Sequence, residues 1–270
     1  MSLVSSDWLE KNFNNVKIID CSWHMPGVNR NPHDEYLNEH IPGAIFFDLD
    51  KNSEQNTELP HMLPTKEKWE EIISSLGISN ENRIIIYDNS DVISSCRGWY
   101  NFIYFGHDKK LVSILDGGLK KWKLEDRPLT KKTVNYLETN YKASIKNNLI
   151  INLNQVEKNI EKKEFCLVDA RGEKRFNGLI DEPRKNLRKG NVKGSKNLPF
   201  LKIINPENNT FKKKEEIEKI FLNHDINLNE KLAFSCGSGI TACVLGLASA
   251  VVSNKLPVIY DGSWAEYGLK

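Results

Sequence analysis

At 270 residues the chain has room for one large domain or two of ordinary size. Lys+Arg number 38 against 36 Asp+Glu, and the resulting net charge of +2 gives no electrostatic reason to expect nucleic acid or a membrane surface as a partner. A hydrophobic fraction of 39% and a charged fraction of 27% suit a globular chain with a proper core, and no apolar run reaches the roughly 18 residues of a membrane span.

The opening MSLVSSDWLEKNF has neither the basic start and apolar stretch of a secretory signal nor the Arg-rich, acid-poor character of a transit peptide. Cys21, Cys96, Cys166, Cys236 and Cys243 form no CxxC pair, which speaks against structural zinc and thioredoxin-like redox pairs. A reduced, cytoplasmic protein with no metal is expected.

In chain order, VKIIDCS (Val16 to Ser22) reads as a buried strand, followed by HIPGAIFF from His40 and a helical pattern over Glu67 to Leu76. RIIIYD from Arg83 is a second strand, and LDGGLKKW from Leu115 leads through a turn into a helix. A polar stretch rich in Lys, Asn and Thr, from about Leu124 to Ile150, reads as a connection between domains. The pattern then recurs. FCLVDAR (Phe165 to Arg171), NVKGSKNLPF from Asn191, a helix over Lys213 to Leu222, KLAFSC from Lys231 and YDGSWAEY from Tyr260 repeat the first half in order, offset by about 150 residues. The strands are too short and too uniformly apolar to be half-exposed. They fit a parallel sheet flanked by helices on both faces, so the class is α/β with two tandem domains, residues 1–135 and 150–270.

LAFSCGSGITACVLGL carries the sharpest local signal. An apolar strand ends at Ser235, a glycine-rich loop follows, and an apolar helix begins near Ile240 or Thr241. Cys236 therefore sits at the carboxyl end of a strand, where open α/β sheets place ligands. Gly237 and Gly239 let the backbone curl so that successive N–H groups and the positive end of the helix converge. Such a place stabilises an anionic sulfur, whether a thiolate or the terminal atom of a persulfide. Phosphatase chemistry needs an arginine six residues after the cysteine, where Ala242 stands, and a phosphate-binding P-loop needs Gly-Lys-Ser/Thr at the helix start; both are absent. In the first half Asp88 takes the place of Cys236, and NSDVISSCRGW after it lacks the glycines of a cradle. Cys96, Cys243, Trp99, Trp122 and Trp264 read as packing, and Asp116 and Asp261 as turn or cap residues.

CGSGITA resembles the CGSGVTA active-site loop of the 3-mercaptopyruvate sulfurtransferases, with Ile240 in place of Val, whereas thiosulfate sulfurtransferases carry a basic loop of the form CRKGVT. HIPGAIFFDLD, PHMLP, LDGGLKKW, RFNGLIDEPR and DGSWAEY resemble the same family, from about Trp8 to the C-terminus. The resemblance implies two rhodanese-like domains, the second of them catalytic. It also implies that Arg175 and Arg184, spaced as in that family, bind the donor, with Gly237, Gly239, Ile240 and Thr241 forming the loop around it. Planar guanidinium forks suit the donor's carboxylate and keto oxygens; on the residues alone, these arginines could equally pair with Glu173, Asp181 or Glu182 at the surface. Arg171 could instead brace the loop, and Arg188 and Lys185 read as solvated. A proton relay of Ser238, His61 and Asp50 is implied, His61 and Asp50 coming from the first domain. The expected reaction moves sulfur from 3-mercaptopyruvate to Cys236 and on to a small thiol, thioredoxin or cyanide, with no cofactor. A thiosulfate:cyanide sulfurtransferase and a non-catalytic persulfide carrier are the alternatives.

Overall fold

The computed structural model describes residues 2–269; Met1 and Lys270, the outer ends of the two expected domains, lie outside the described residues. Two compact units are present. The first comprises Met1–Gln55, Leu63–Lys146 and Glu207–Thr210, and the second Asn56–Met62, Asn147–Pro206 and Phe211–Lys270.

The first unit runs β1 (Leu3–Val4), α1 (Ser6–Asn12), β2 (Lys17–Asp20), α2 (Pro32–Asn38), β3 (Ala44–Phe46), α3 (Lys66–Ser75), β4 (Ile84–Tyr87), α4 (Ser95–Tyr104), β5 (Val112–Leu115) and α5 (Gly118–Leu124). The second repeats it as β6 (Ile150–Ile151), α6 (Leu153–Lys162), β7 (Cys166–Asp169), α7 (Glu173–Phe176), β8 (Lys196–Asn197), α8 (Lys214–Asn223), β9 (Leu232–Ser235), α9 (Ile240–Ser253), β10 (Val258–Tyr260) and α10 (Ser263–Tyr267). Strand orders are β1-β5-β4-β2-β3 and β6-β10-β9-β7-β8, and each pairing is parallel. The duplication extends to register. Asp20 lies opposite Tyr87 and Asp169 opposite Ser235, so Asp88 and Cys236 follow equivalent strand ends.

The uniformly apolar strands are explained by burial on both faces. Ile18, Ile85, Leu115 and Trp122 belong to one core, and Leu167, Ala233, Tyr260 and Trp264 to the other. The polar stretch read as a connection runs along the first unit up to Lys146. Thr139 and Tyr141 donate to Ser74, Ser144 donates to Phe105, and the Tyr141 ring is fully buried. Two residues of strand at β1, β6 and β8 carry too little pattern to be read in advance.

Asp20 ends β2 in full burial, which pushes its carboxyl up to about 6, above the ordinary aspartate value, against bonds from Ser22 and Tyr87 that pull it down. The folded protein therefore holds this proton more tightly than the unfolded chain. The stabilisation is complete below the unfolded value and is lost as pH rises through about 6. Asp20→Asn is expected to match the parent in thermal stability near pH 4 and to exceed it near pH 7.5, by up to about 3 kcal/mol. Calorimetry at the two pH values checks this; a difference that does not grow with pH contradicts it.

Candidate active site

The carboxyl end of β9 delivers Cys236 into a loop of four residues, 236–239, before α9. Gly239 caps the helix with φ of 80°, a left-handed step that costs glycine nothing and would strain any residue with a Cβ. Cys236 is 2% exposed. Its N–H donates to Ser263 Oγ at 3.1 Å. Trp264 N–H donates to the Cys236 carbonyl at 2.9 Å, and Ala265 N–H to the Gly237 carbonyl at 2.8 Å. In a trans peptide the N–H lies opposite the C=O. With both carbonyls turned to α10, the Gly237 and Ser238 amides face the other way. Beyond them, the first-turn N–H groups of α9 have no intrahelical acceptor, and the helix dipole adds positive potential there. Ile240 is buried and Thr241 half-buried in this turn.

The first unit supplies an internal control. Leu119 N–H donates to the Asp88 carbonyl as Trp264 N–H does to that of Cys236. The Asp88 carboxylate accepts from Ser90 N–H and from Ser95 N–H, both at 2.9 Å. Ser95 is the first residue of α4, and Ser90 stands two places after Asp88. The corresponding amides beside Cys236 are those of Ser238 and Ile240. The loop of the first unit thus presents N–H groups to the side chain that follows its strand. In the first unit that side chain is itself an acceptor; in the second it is a thiol. Here the left-handed step falls on Ile93, with φ of 50°, in place of a glycine.

His61 lies against the loop. Its Nδ1 is 2.9 Å from Ser238 Oγ and 3.2 Å from the Ser238 carbonyl. When Nδ1 carries the proton it donates to both oxygens; otherwise Ser238 Oγ–H donates to Nδ1. His61 is buried and has φ of 62°, a backbone state rare outside glycine that collects at functional sites. The resemblance assigns His61 to the first domain. In the structure segment 56–62 is grouped with the second unit, and the His61–Ser238 bond is one of its contacts there. Asp50 belongs to the first unit, where Trp23 Nε1 donates to both its carboxylate oxygens at 3.1 Å.

Arg175, carried on α7, is brought to the cysteine loop. A Cβ built on Gly237 would lie 3.0 Å from Arg175 Nη2, so the guanidinium rests close against the loop backbone. Arg175 does pair with Glu182, but the pairing is not on the surface: the Glu182 side chain is 1% exposed and that of Arg175 18%. Arg184, half-buried, follows two residues later in the same loop. Arg171 braces the site from behind. Its guanidinium bonds Asp169, Glu182 and the Gly190 carbonyl and lies 4.3 Å from the Trp264 ring centroid. Burial works against its charge, but Asp169 and Glu182 outweigh that and hold its pKa above the ordinary value. Trp264 is core, as read, and is also a strut of the loop. Arg188 is exposed, yet its guanidinium lies over Trp264 and Tyr267. Ser263 is not singled out in the sequence, the repeated DGS bend being its one signal, and Glu182 is read there only as a possible surface partner of the arginines.

Among the described residues, no group of three or more His, Cys, Asp or Glu is placed to hold a metal ion, and no helix is long and apolar enough to cross a membrane. The two parallel sheets, their shared topology and the cysteine loop define a tandem rhodanese-type protein: the rhodanese-like domain matches residues 5–125 and 152–270, and the chain belongs to that family. It is 37% identical, over 98% of its length and 75% of the relative's, to "Thiosulfate/3-mercaptopyruvate sulfurtransferase 1, mitochondrial" of Arabidopsis thaliana. It is 34% identical, over 99% of its length and 95% of the relative's, to the 3-mercaptopyruvate sulfurtransferase of Escherichia coli K12. Among solved structures, SseA of Escherichia coli, described as a 3-mercaptopyruvate sulfotransferase, superposes with a TM-score of 0.88 at 33% identity, covering 98% of this chain and 100% of that one.

Proposed function

We propose that the chain is a 3-mercaptopyruvate sulfurtransferase that carries sulfur as a persulfide on Cys236, the second unit being the catalytic one. The observation that carries this reading is the amide-lined loop around Cys236 with Arg175 packed on it. Arg175 and Arg184 bind the carboxylate and keto oxygens of the donor. The Cys236 thiolate attacks the donor sulfur, the carbon–sulfur bond breaks, and its electron pair leaves as the enolate of pyruvate. The proton of the donor thiol passes to the enolate carbon through Ser238 and His61. Atoms and charge balance: thiolate and mercaptopyruvate become the persulfide anion and pyruvate. The outer sulfur rests against the loop amides until an acceptor thiol, thioredoxin or cyanide attacks it and releases the Cys236 thiolate.

A cytoplasmic, reducing setting is part of the reading, since it keeps Cys236 a free thiol, as all five cysteines are here. GSGITA brings no basic residue to the loop for a dianion such as thiosulfate. The purified chain is therefore expected to use mercaptopyruvate with a kcat/KM at least about tenfold above that for thiosulfate, measured as pyruvate and thiocyanate formation. Thiosulfate used equally well or better would move the assignment to the thiosulfate:cyanide sulfurtransferases. No turnover of either donor by the purified chain would leave a persulfide carrier.

A further inference from the structure

We propose that Glu182 is a positioning residue that sets the guanidinium of Arg175 edge-on to the donor carboxylate. This inference rests on the donor reading above and deepens it.

Four charged side chains form one continuous row behind and beside the cysteine loop. Asp169, at the end of β7, bonds Arg171 Nη2 at 2.7 Å. Arg171 Nη1 bonds Glu182 Oε1 at 2.8 Å. Glu182 Oε2 bonds Arg175 Nη2 at 2.5 Å, and Arg175 Nε reaches both Glu182 oxygens at 3.2 and 3.3 Å. Asp169, Arg171 and Glu182 are all buried at the side chain, and Arg175 alone is partly open.

A guanidinium has two edges able to take a carboxylate in a fork, one formed by Nε and Nη2 and the other by Nη1 and Nη2. Glu182 occupies the first. What Arg175 keeps is Nη1 and the outer N–H of Nη2, and Nη2 is the atom packed against Gly237. The edge left for a ligand is thus fixed in direction beside the cysteine loop, with little rotamer freedom to be lost on binding. Glu182 is held in turn by Arg171, which stacks on Trp264, and Trp264 N–H holds the Cys236 carbonyl. One carboxylate therefore ties the orientation of the donor-binding arginine to the strut of the nucleophile's loop.

The test is a double-mutant cycle on the whole chain with mercaptopyruvate as donor. Glu182→Gln keeps the shape but loses the charge that bonds both arginines. It is expected to raise KM about tenfold or more while kcat changes by less than about threefold, because binding and not bond breaking is disturbed. Arg175→Ala is expected to raise KM at least as far. The double variant should match Arg175→Ala alone, since a residue acting through Arg175 has nothing left to act on. Should Glu182→Gln prove unfolded by circular dichroism, Glu182→Asp enters the same cycle; it keeps the charge but is too short to span Arg171 and Arg175 together. A Glu182 variant with the KM of the wild type, or effects that multiply in the double variant, overturns the proposal while leaving the donor reading intact. A wild-type chain that does not turn mercaptopyruvate over defeats that reading itself.

Discussion

Cys236→Ser is expected to lower pyruvate release from mercaptopyruvate by at least about a thousandfold, with the folded state retained. Serine is close to isosteric, so the bonds from Trp264 and Ala265 to the loop carbonyls persist. An alcohol oxygen, however, is a poor nucleophile near neutral pH and offers no persulfide. No other thiol is placed to substitute. Cys243 lies within α9, fully buried, with Sγ 3.2 Å from the Gly239 carbonyl. Cys21 and Cys96 are fully buried in the first unit, where burial pushes the Cys21 thiol well above its usual range. Cys166 opens β7 at the opposite end of the sheet, and burial pushes it up as well. Steady-state pyruvate formation on the two proteins checks this. A serine variant that retains even a tenth of the parent rate would mean that another group takes the sulfur.

The second large effect concerns the donor's charge. Arg184→Ala is expected to lower kcat/KM for mercaptopyruvate about a hundredfold, equivalent to about 3 kcal/mol, because a charge-assisted fork to a carboxylate is lost. Of the two arginines it is the cleaner one to remove, since Arg175→Ala also strips a partner from the buried Glu182 carboxylate. Arg184→Lys should recover part of the loss and not all of it, the ammonium being unable to fork. Rates at low donor concentration across the three proteins check the order; equal rates in wild type and Arg184→Ala would remove Arg184 from the site.

Much of this was legible in the sequence because it is local. A strand, a Gly-rich turn and an apolar helix around Cys236 dictate the loop whatever else the chain does, and the repetition of VKIIDCS in FCLVDAR exposes the duplication. The expected helices at Glu67 to Leu76 and Lys213 to Leu222 are found one residue away, at Lys66–Ser75 and Lys214–Asn223. What stayed hidden depends on distant parts of the chain. Glu182 stands in a polar loop beside Asp181 and reads as a surface partner for Arg175 at most; nothing in its neighbours says that it is buried between Arg171 and Arg175. The histidine in PHMLP was visible as a residue type, but its packing with the second unit is a tertiary fact. Asp88 looked like the loss of a function. Its carboxylate instead shows, in the duplicate loop, where the N–H groups point.

That orientation is the centre of the account, and peptide mass mapping tests it most directly. Wild-type chain treated briefly with mercaptopyruvate without acceptor, then alkylated and digested, is predicted to carry one extra sulfur on the peptide containing Cys236 and on no other, removable by cyanide. An unmodified Cys236 peptide after pyruvate has formed, or sulfur found on Cys166, would contradict it.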